Sequence, residues 1–184
     1  MYAKKEDVEL QERYYLPRLK KTIFIHPTDT VYSIGCDATN PRLVMKLRVL
    51  KKWQTQPFTV IAPSKEWILH NLDVPQEALN HLPGPVTIIA RLKNPDCVAE
   101  DVHLGSDTLG VRIPNHWIAD VVKKLGFPIV SSCANKRAQN LMTSLDDADK
   151  TLVQASEVVL HEGPKQGQPV VFIDYTEGEQ LITQ

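Results

Sequence analysis

The stretch Pro27 to Ala38, PTDTVYSIGCDA, places two hydroxyls and a carboxylate, those of Thr28, Asp29 and Thr30, directly after the apolar run TIFIHP. α/β folds put their ligands at strand ends, so such a group is positioned to grip a polar ligand. The same side chains can instead bond their own backbone in an ordinary Thr/Asp turn, and composition alone favours that reading. Between Ala38 and Lys65 the chain carries Arg42, Lys46, Arg48, Lys51, Lys52 and Lys65 and no acidic residue. A window of this kind attracts phosphates, although an isolated charge run is more often a solvated helix face. Arg112 stands in the apolar stretch TLGVRIP. A guanidinium there is costly unless something pairs with it.

The elements that must position these groups follow from the pattern of apolar residues. Lys5 to Lys21 reads as an opening helix interrupted or ended near Pro17, which lacks an amide donor. TIFIHP reads as a buried strand. Asn40 and Pro41 make a helix start as cap and first helical residue, with Leu43, Leu47 and Leu50 on one face and the basic residues mostly elsewhere. PFTVIAP is a short β-rich run, KEWILHNL and PQEALNHL are short helices, and PVTIIARL and TLGVRIP are strands. A helix from His116 to Lys124, closed by Gly126, leads into the strand PIVSSCA. Asp146 to Ala155 forms a helix, and SEVVLHEG and QPVVFIDYT are further strands. This alternation predicts an α/β protein with a mixed, twisted sheet and flanking helices.

The chain has 184 residues, 42% hydrophobic and 23% charged with 13 prolines, which suits one globular domain spanning residues 1–184. No apolar run approaches the roughly 20 residues of a membrane helix, and MYAKKEDVELQERYY carries acids where a signal peptide is apolar, so a cytoplasmic protein is expected. Cys36, Cys97 and Cys133 are widely spaced with no CxxC pair and no close histidine. That excludes the usual disulfide and zinc patterns and leaves reduced thiols. A net charge of -1 argues against a uniformly basic surface for nucleic acid, so any basic site must be local.

Three further motifs follow in order: LPGPVTIIA (Leu82 to Ala90), DTLGVRIP (Asp107 to Pro114) and SSCAN (Ser131 to Asn135). Together with PTDTVY they resemble the YrdC-like family, over about residues 22 to 175. Its members show PTET or PTDTVYGLG, a KxR motif before a proline, PGPxT, vRxP, SxN and a late S/T-T-V-x-D run. The resemblance implies a twisted α/β sheet enclosing a concave, basic surface. It also implies synthesis of L-threonylcarbamoyladenylate from L-threonine, bicarbonate and ATP, with Mg2+ accompanying the nucleotide and no tightly bound cofactor or resident metal. The product serves threonylcarbamoyladenosine modification of tRNA, so the implied partners are a downstream tRNA threonylcarbamoyl transferase complex and double-stranded RNA or tRNA, with no membrane.

By the same resemblance Lys51 matches the KxR lysine and neutralises ATP phosphates, assisted by Gln56, and Arg112 holds the threonine carboxylate by two parallel hydrogen bonds. Thr28 and Thr30 contact threonine or its carbamate, Thr108 and Thr143 fall at ATP-contact positions, and Asn135 is the asparagine of SxN, acting with Lys51 in catalysis. Cys133 occupies the SxN serine position on the substrate side. His26 has no counterpart among catalytic groups and is expected to be structural.

The sequence also departs from the family. Trp53 replaces the KxR arginine, Lys52 beside it faces another way, and Cys133 is a poorer hydrogen-bond partner than serine. Lys136, Arg137 and Ala138 replace the usual serine-glycine, Val170 and Val171 replace hydroxyl residues, and Ser33 replaces glycine. The chain ends at Gln184, before the arginine-containing C-terminal strand of many members. Two other readings follow: a non-catalytic nucleotide- or RNA-binding relative with a degraded site, and a carbamoyl-adenylate domain like that in hydrogenase maturation.

Overall fold

In the computed structural model, which describes residues 1–134, 142–167 and 170–182, short strands and helices alternate along the chain. It opens with β1 (Tyr2–Ala3), α1 (Lys5–Leu10) and α2 (Glu12–Leu19), then the hairpin of β2 (Phe24–Pro27) and β3 (Tyr32–Gly35). Next come α3 (Pro41–Lys51), β4 (Thr59–Ile61), α4 (Lys65–Asn71), β5 (Leu72–Asp73) and β6 (Val86–Leu92). They are followed by α5 (Glu100–His103), β7 (Thr108–Arg112), α6 (Ile118–Leu125), β8 (Ile129–Val130) and β9 (Ser132–Cys133). The last elements are α7 (Lys150–Ala155), β10 (Val158–Leu160), β11 (Val171–Asp174) and β12 (Gln180–Ile182).

The strands form two mixed sheets, one ordered β1-β10-β2-β3-β9 and the other β12-β11-β6-β7-β4-β8, with β5 beside β6. In the first, β10 runs parallel to β2 and β3 antiparallel to it; in the second, β11 runs parallel to β6 and β7 antiparallel. The run PIVSSCA serves both sheets because it is interrupted at Ser131: β8 pairs with β4, and β9 pairs with β3. The Ser131 N–H donates to the Thr59 carbonyl at 3.0 Å, so the chain crosses from one sheet to the other without losing that bond. At the crossing the backbones come very close. A β-carbon on Gly35 would lie 2.0 Å from the Val130 carbonyl oxygen, which only glycine permits.

Two apolar clusters hold the sheets. The larger packs Ile25 and Ile34 of one sheet with Val60, Ile88, Leu109 and Val111 of the other, beneath α3, α4 and α7. The smaller joins α1, α2 and α6 to Phe24, Ile61, Val158 and Leu160. Among the described residues no helix is long and apolar enough to cross a membrane.

Two expectations about helices are corrected. The opening helix is interrupted at Gln11 (φ -127, ψ 43) and not at Pro17, which lies inside α2, although α2 does end close to it, at Leu19. The break lets Val8 of α1 and Tyr15 and Leu19 of α2 reach the same smaller cluster. In α3, Asn40 caps the helix as expected, accepting from the Arg42 and Leu43 amides at 3.1 and 3.3 Å. Its buried face, however, is Val44, Leu47, Arg48 and Lys51, so two basic residues share that face and do not all point to solvent. The spacing i, i+3, i+4, i+7 puts all four on one stripe, and the long side chains reach polar partners beyond the apolar layer.

Arg48 shows how such a charge is accommodated. Its guanidinium lies 4.4 Å from the Phe58 ring centre and donates to the carbonyls of Asp101, Trp53, Gln56 and Val102 at 2.5, 2.7, 3.0 and 3.2 Å. It therefore clamps the turn from Lys52 to Phe58 onto α5. A lysine cannot span four diverging carbonyls. Arg48→Lys is expected to cost about 2 kcal/mol through unmet buried acceptors, read as a lower midpoint in urea unfolding.

Candidate active site

The β2–β3 connection is a tight turn organised by one hydroxyl. Thr28 Oγ1 donates to the Val31 carbonyl at 2.8 Å and accepts from the Thr30 and Val31 amides at 3.2 Å each. The Thr30 hydroxyl lies 3.0 Å from it. With the Thr28 proton committed to Val31, Thr30 must be the donor between the two, which leaves its own lone pairs available. The local-turn reading of PTDT is thus realised for Thr28, and both threonines are buried.

This turn aims Asp29 at Arg112, the last residue of β7. Arg112 Nη2 donates to Asp29 Oδ1, and the Asn115 amide donates to Asp29 Oδ2 at 2.9 Å. Burial pulls the Arg112 guanidinium below its ordinary range, and the neighbouring Asp29 carboxylate opposes that pull. The partner that an arginine in an apolar strand requires is therefore supplied from a turn 83 residues away in sequence.

Lys51, at the end of α3, is 2% exposed and donates to the Cys133 carbonyl of β9. Its ammonium lies 5.2 Å from the Trp53 ring centre. Burial lowers the Lys51 ammonium to about 8. Burial likewise pushes the Cys133 thiol up, against the pull of both Lys51 and Arg112. Cys133 also ends a row across the first sheet, since it pairs with Ser33, which pairs with His26. His26 is wholly buried and held neutral by desolvation, down to about 3. Its Nδ1–H donates to the Pro27 carbonyl at 3.2 Å, a structural contact.

The β2–β3 hairpin thus has two groups beside it, Thr28, Thr30 and Arg112 at its turn and Cys133 with Lys51 along β3. Thr108 lies on the same face of β7 as Arg112 but at the strand's other end, about 13 Å away by strand rise. Gly110 lies between them, and a β-carbon there would be 2.9 Å from Thr59 Cγ2. Gln56 is exposed in the turn that Arg48 clamps. Thr143 spends its hydroxyl on Asp147 Oδ2 at 3.1 Å. Asn135 and residues 136–138 lie outside the described residues.

One polar cluster beside the turn has no counterpart in the sequence reading. Glu162 accepts from His116 Nε2 at 2.8 Å, and from Trp117 and Lys165. The Tyr32 hydroxyl accepts from the Glu162 amide at 3.1 Å and donates to the Gly163 carbonyl at 2.8 Å. Burial pushes the Glu162 carboxyl up, but hydrogen bonds from Lys165, His116 and Trp117 outweigh it and hold the group at about 2. No local pattern announces such a cluster, because its three segments, at Tyr32, at His116 and Trp117, and at Glu162 to Lys165, lie 45 and more positions apart.

Two mixed sheets flanked by helices, with a hydroxyl turn locked to a buried arginine, define an α/β domain. That fold is shared with solved structures. Sua5 of P. abyssi complexed with L-threonine is 24% identical with a TM-score of 0.84, the match covering 98% of this chain and 56% of that one. YciO of E. coli is 18% identical with a TM-score of 0.80 over 100% of this chain and 94% of that one. The chain spans little more than half the length of the Sua5 structure. The Sua5/YciO/YrdC family model, described as "Telomere recombination", matches residues 19–183, and the chain belongs to this family. A threonylcarbamoyl-AMP synthase of Idiomarina loihiensis is 31% identical over 130 residues, 66% of this chain and 69% of that protein.

Proposed function

We propose that residues 1–184 act as one catalytic domain that makes L-threonylcarbamoyladenylate from L-threonine, bicarbonate and ATP, releasing pyrophosphate. The observation that carries this reading is the placing of two buried cations beside the β2–β3 hairpin: Arg112 pairs with Asp29 of its turn, and Lys51 donates to the Cys133 carbonyl of β9, which pairs with β3. Such a pair suits a ligand with a carboxylate at one end and phosphates at the other. Family membership and relatives named for this activity support it.

In the proposed reaction bicarbonate takes a proton and gives carbon dioxide and water, and the threonine amine adds to the carbon dioxide and releases that proton to form a carbamate. A carbamate oxygen then attacks the α-phosphorus of ATP, the bond to the bridging oxygen breaks, and pyrophosphate leaves with its electron pair. No covalent enzyme intermediate is needed, so catalysis is positioning and charge neutralisation. Arg112 holds the threonine carboxylate, Lys51 the phosphates, and Thr30 accepts from the amine or carbamate N–H. Gln56, Thr108, Thr143 and Asn135 take the remaining ATP contacts, and Cys133 lines the substrate side.

Among the described residues no group of three or more His, Cys, Asp or Glu is arranged to hold a metal ion. In this proposal Mg2+ arrives with ATP, held on its phosphate oxygens. The proposal places the protein in the cytoplasm, upstream of a tRNA threonylcarbamoyl transferase, with tRNA as the downstream acceptor.

The test is pyrophosphate release with ATP and bicarbonate, with and without L-threonine. Threonine-dependent release is the expected result. ATP binding without release would point instead to a nucleotide-binding relative in which Trp53, in the KxR arginine's place, no longer supports transfer.

A further inference from the structure

We propose that Asp29 is a positioning residue for Arg112, fixing the guanidinium so that its uncommitted donors face the carboxylate of the amino-acid substrate. The proposal rests on the synthase reading above for the identity of that ligand, but not for the geometry.

Both Asp29 oxygens are committed, Oδ1 to Arg112 Nη2 and Oδ2 to the Asn115 amide at 2.9 Å. The carboxylate therefore cannot turn without breaking one of them. The backbone beneath it is equally fixed, because Thr28 on its N-terminal side closes the turn through Val31. Asn115 follows Arg112 by three residues, so one carboxylate grips both the side chain at the end of β7 and the chain leaving that strand.

Arg112 gives the second observation. Its side chain is 6% exposed, and its Nε–H has no hydrogen-bond partner among the described residues. A buried guanidinium donor left unmet is costly and rare, and it offers a bond to an incoming acceptor. A ligand carboxylate accepting from Nε and an adjacent Nη would meet that donor in the planar, two-bond geometry arginine favours. Asp29 takes one donor and, with Asn115, sets the plane of the fork. Without that carboxylate the guanidinium keeps its charge but loses its fixed orientation, and orientation is what two parallel bonds require.

Two readouts test this on the intact chain. The first is the arginine side-chain 15Nε–1Hε NMR spectrum, with the Arg112 resonance identified by its loss in Arg112→Lys. In the parent that resonance should be sharp and slow to exchange with solvent; in Asp29→Asn it should broaden and exchange faster, and Asp29→Glu should restore it in part. The second is calorimetric titration. L-threonine affinity should fall about tenfold or more in Asp29→Asn, while ATP affinity should change less than about twofold because Lys51 is untouched. A merely structural role would lower both affinities together with the unfolding midpoint. A folded Asp29→Asn with an unchanged Nε resonance overturns the proposal. So does tighter L-threonine binding, which would mean that Asp29 competes with the substrate for Arg112. If the parent binds no L-threonine, the synthase reading fails and the NMR comparison alone decides the role of Asp29. Should Asp29→Asn not fold, Asp29→Glu carries the test: its extra methylene displaces the fork while keeping the charge, and an Nε resonance identical to the parent's would count against positioning.

Discussion

Arg112→Ala is expected to reduce threonine-dependent pyrophosphate release by about 10²-fold or more and to be the most destabilising of the single changes considered. The two effects have one cause. Among the described residues Arg112 is the ion-pair partner of the part-buried Asp29 carboxylate, and removing one member of such a pair leaves the other uncompensated, a loss of about 3 kcal/mol. In the reaction, the same deletion removes the bidentate anchor for the threonine carboxylate, on which the placing of the amine depends. Arg112→Lys separates the two. It keeps a positive charge for Asp29, so urea unfolding should recover much of the lost stability, but a point charge cannot reproduce the fork, and turnover should stay low. Full activity in Arg112→Lys would show that charge alone holds the substrate.

The second large effect is expected at Lys51. Lys51→Ala should weaken ATP binding by about tenfold to a hundredfold, the worth of a charge-assisted hydrogen bond of about 1.5 to 3 kcal/mol. The pH dependence has a definite sign. Burial holds Lys51 at about 8 in the folded chain, against an ordinary value of 10.5. Below about pH 8 the ammonium is present and binds phosphate, so ATP affinity should fall as pH rises through that value. For folding the sign is opposite. Between about 8 and 10.5 the unfolded chain holds the proton more tightly than the folded one, so the stability that charged Lys51 withholds is regained as pH rises through this window. Isothermal titration of ATP at pH 7 and pH 9, in the parent and in Lys51→Ala, checks this: the variant should lose most of the pH dependence between those values. A parent with equal affinity at both pH values would remove Lys51 from the phosphate site.

Much of the secondary structure is legible in the chain because it depends on local chemistry. Asn40 and Pro41 announce the start of α3, Gly126 takes φ 80 at the end of α6, and the apolar runs FIHP and VTIIARL are strands wherever they are placed. The burial of Arg48 and Lys51 was not legible. A basic residue on a helix has an identical sequence signature whether it faces water or four carbonyls, and those carbonyls come from residues 53, 56, 101 and 102. β3 was also hidden: YSIG is short and mixed, and it becomes a strand because β2 and β9 flank it.

The sequence by itself determined the α/β class, the order of the motifs and the residue types available to hold a carboxylate and a phosphate. The tertiary structure decided which of those residues meet. Thr28 and Asp29 read alike as turn residues, yet Thr28 spends its hydroxyl on its own turn and Asp29 reaches Arg112. Likewise the split of PIVSSCA at Ser131, which carries Cys133 from the strand beside β4 to the strand beside β3 and so under Lys51, is set by pairing between sheets. Local preferences fix φ, ψ and solvent-facing periodicity over a few residues. The partner of a buried charge is fixed only when the backbone brings distant segments within hydrogen-bonding distance, where leaving either group unmatched costs more than ordering both.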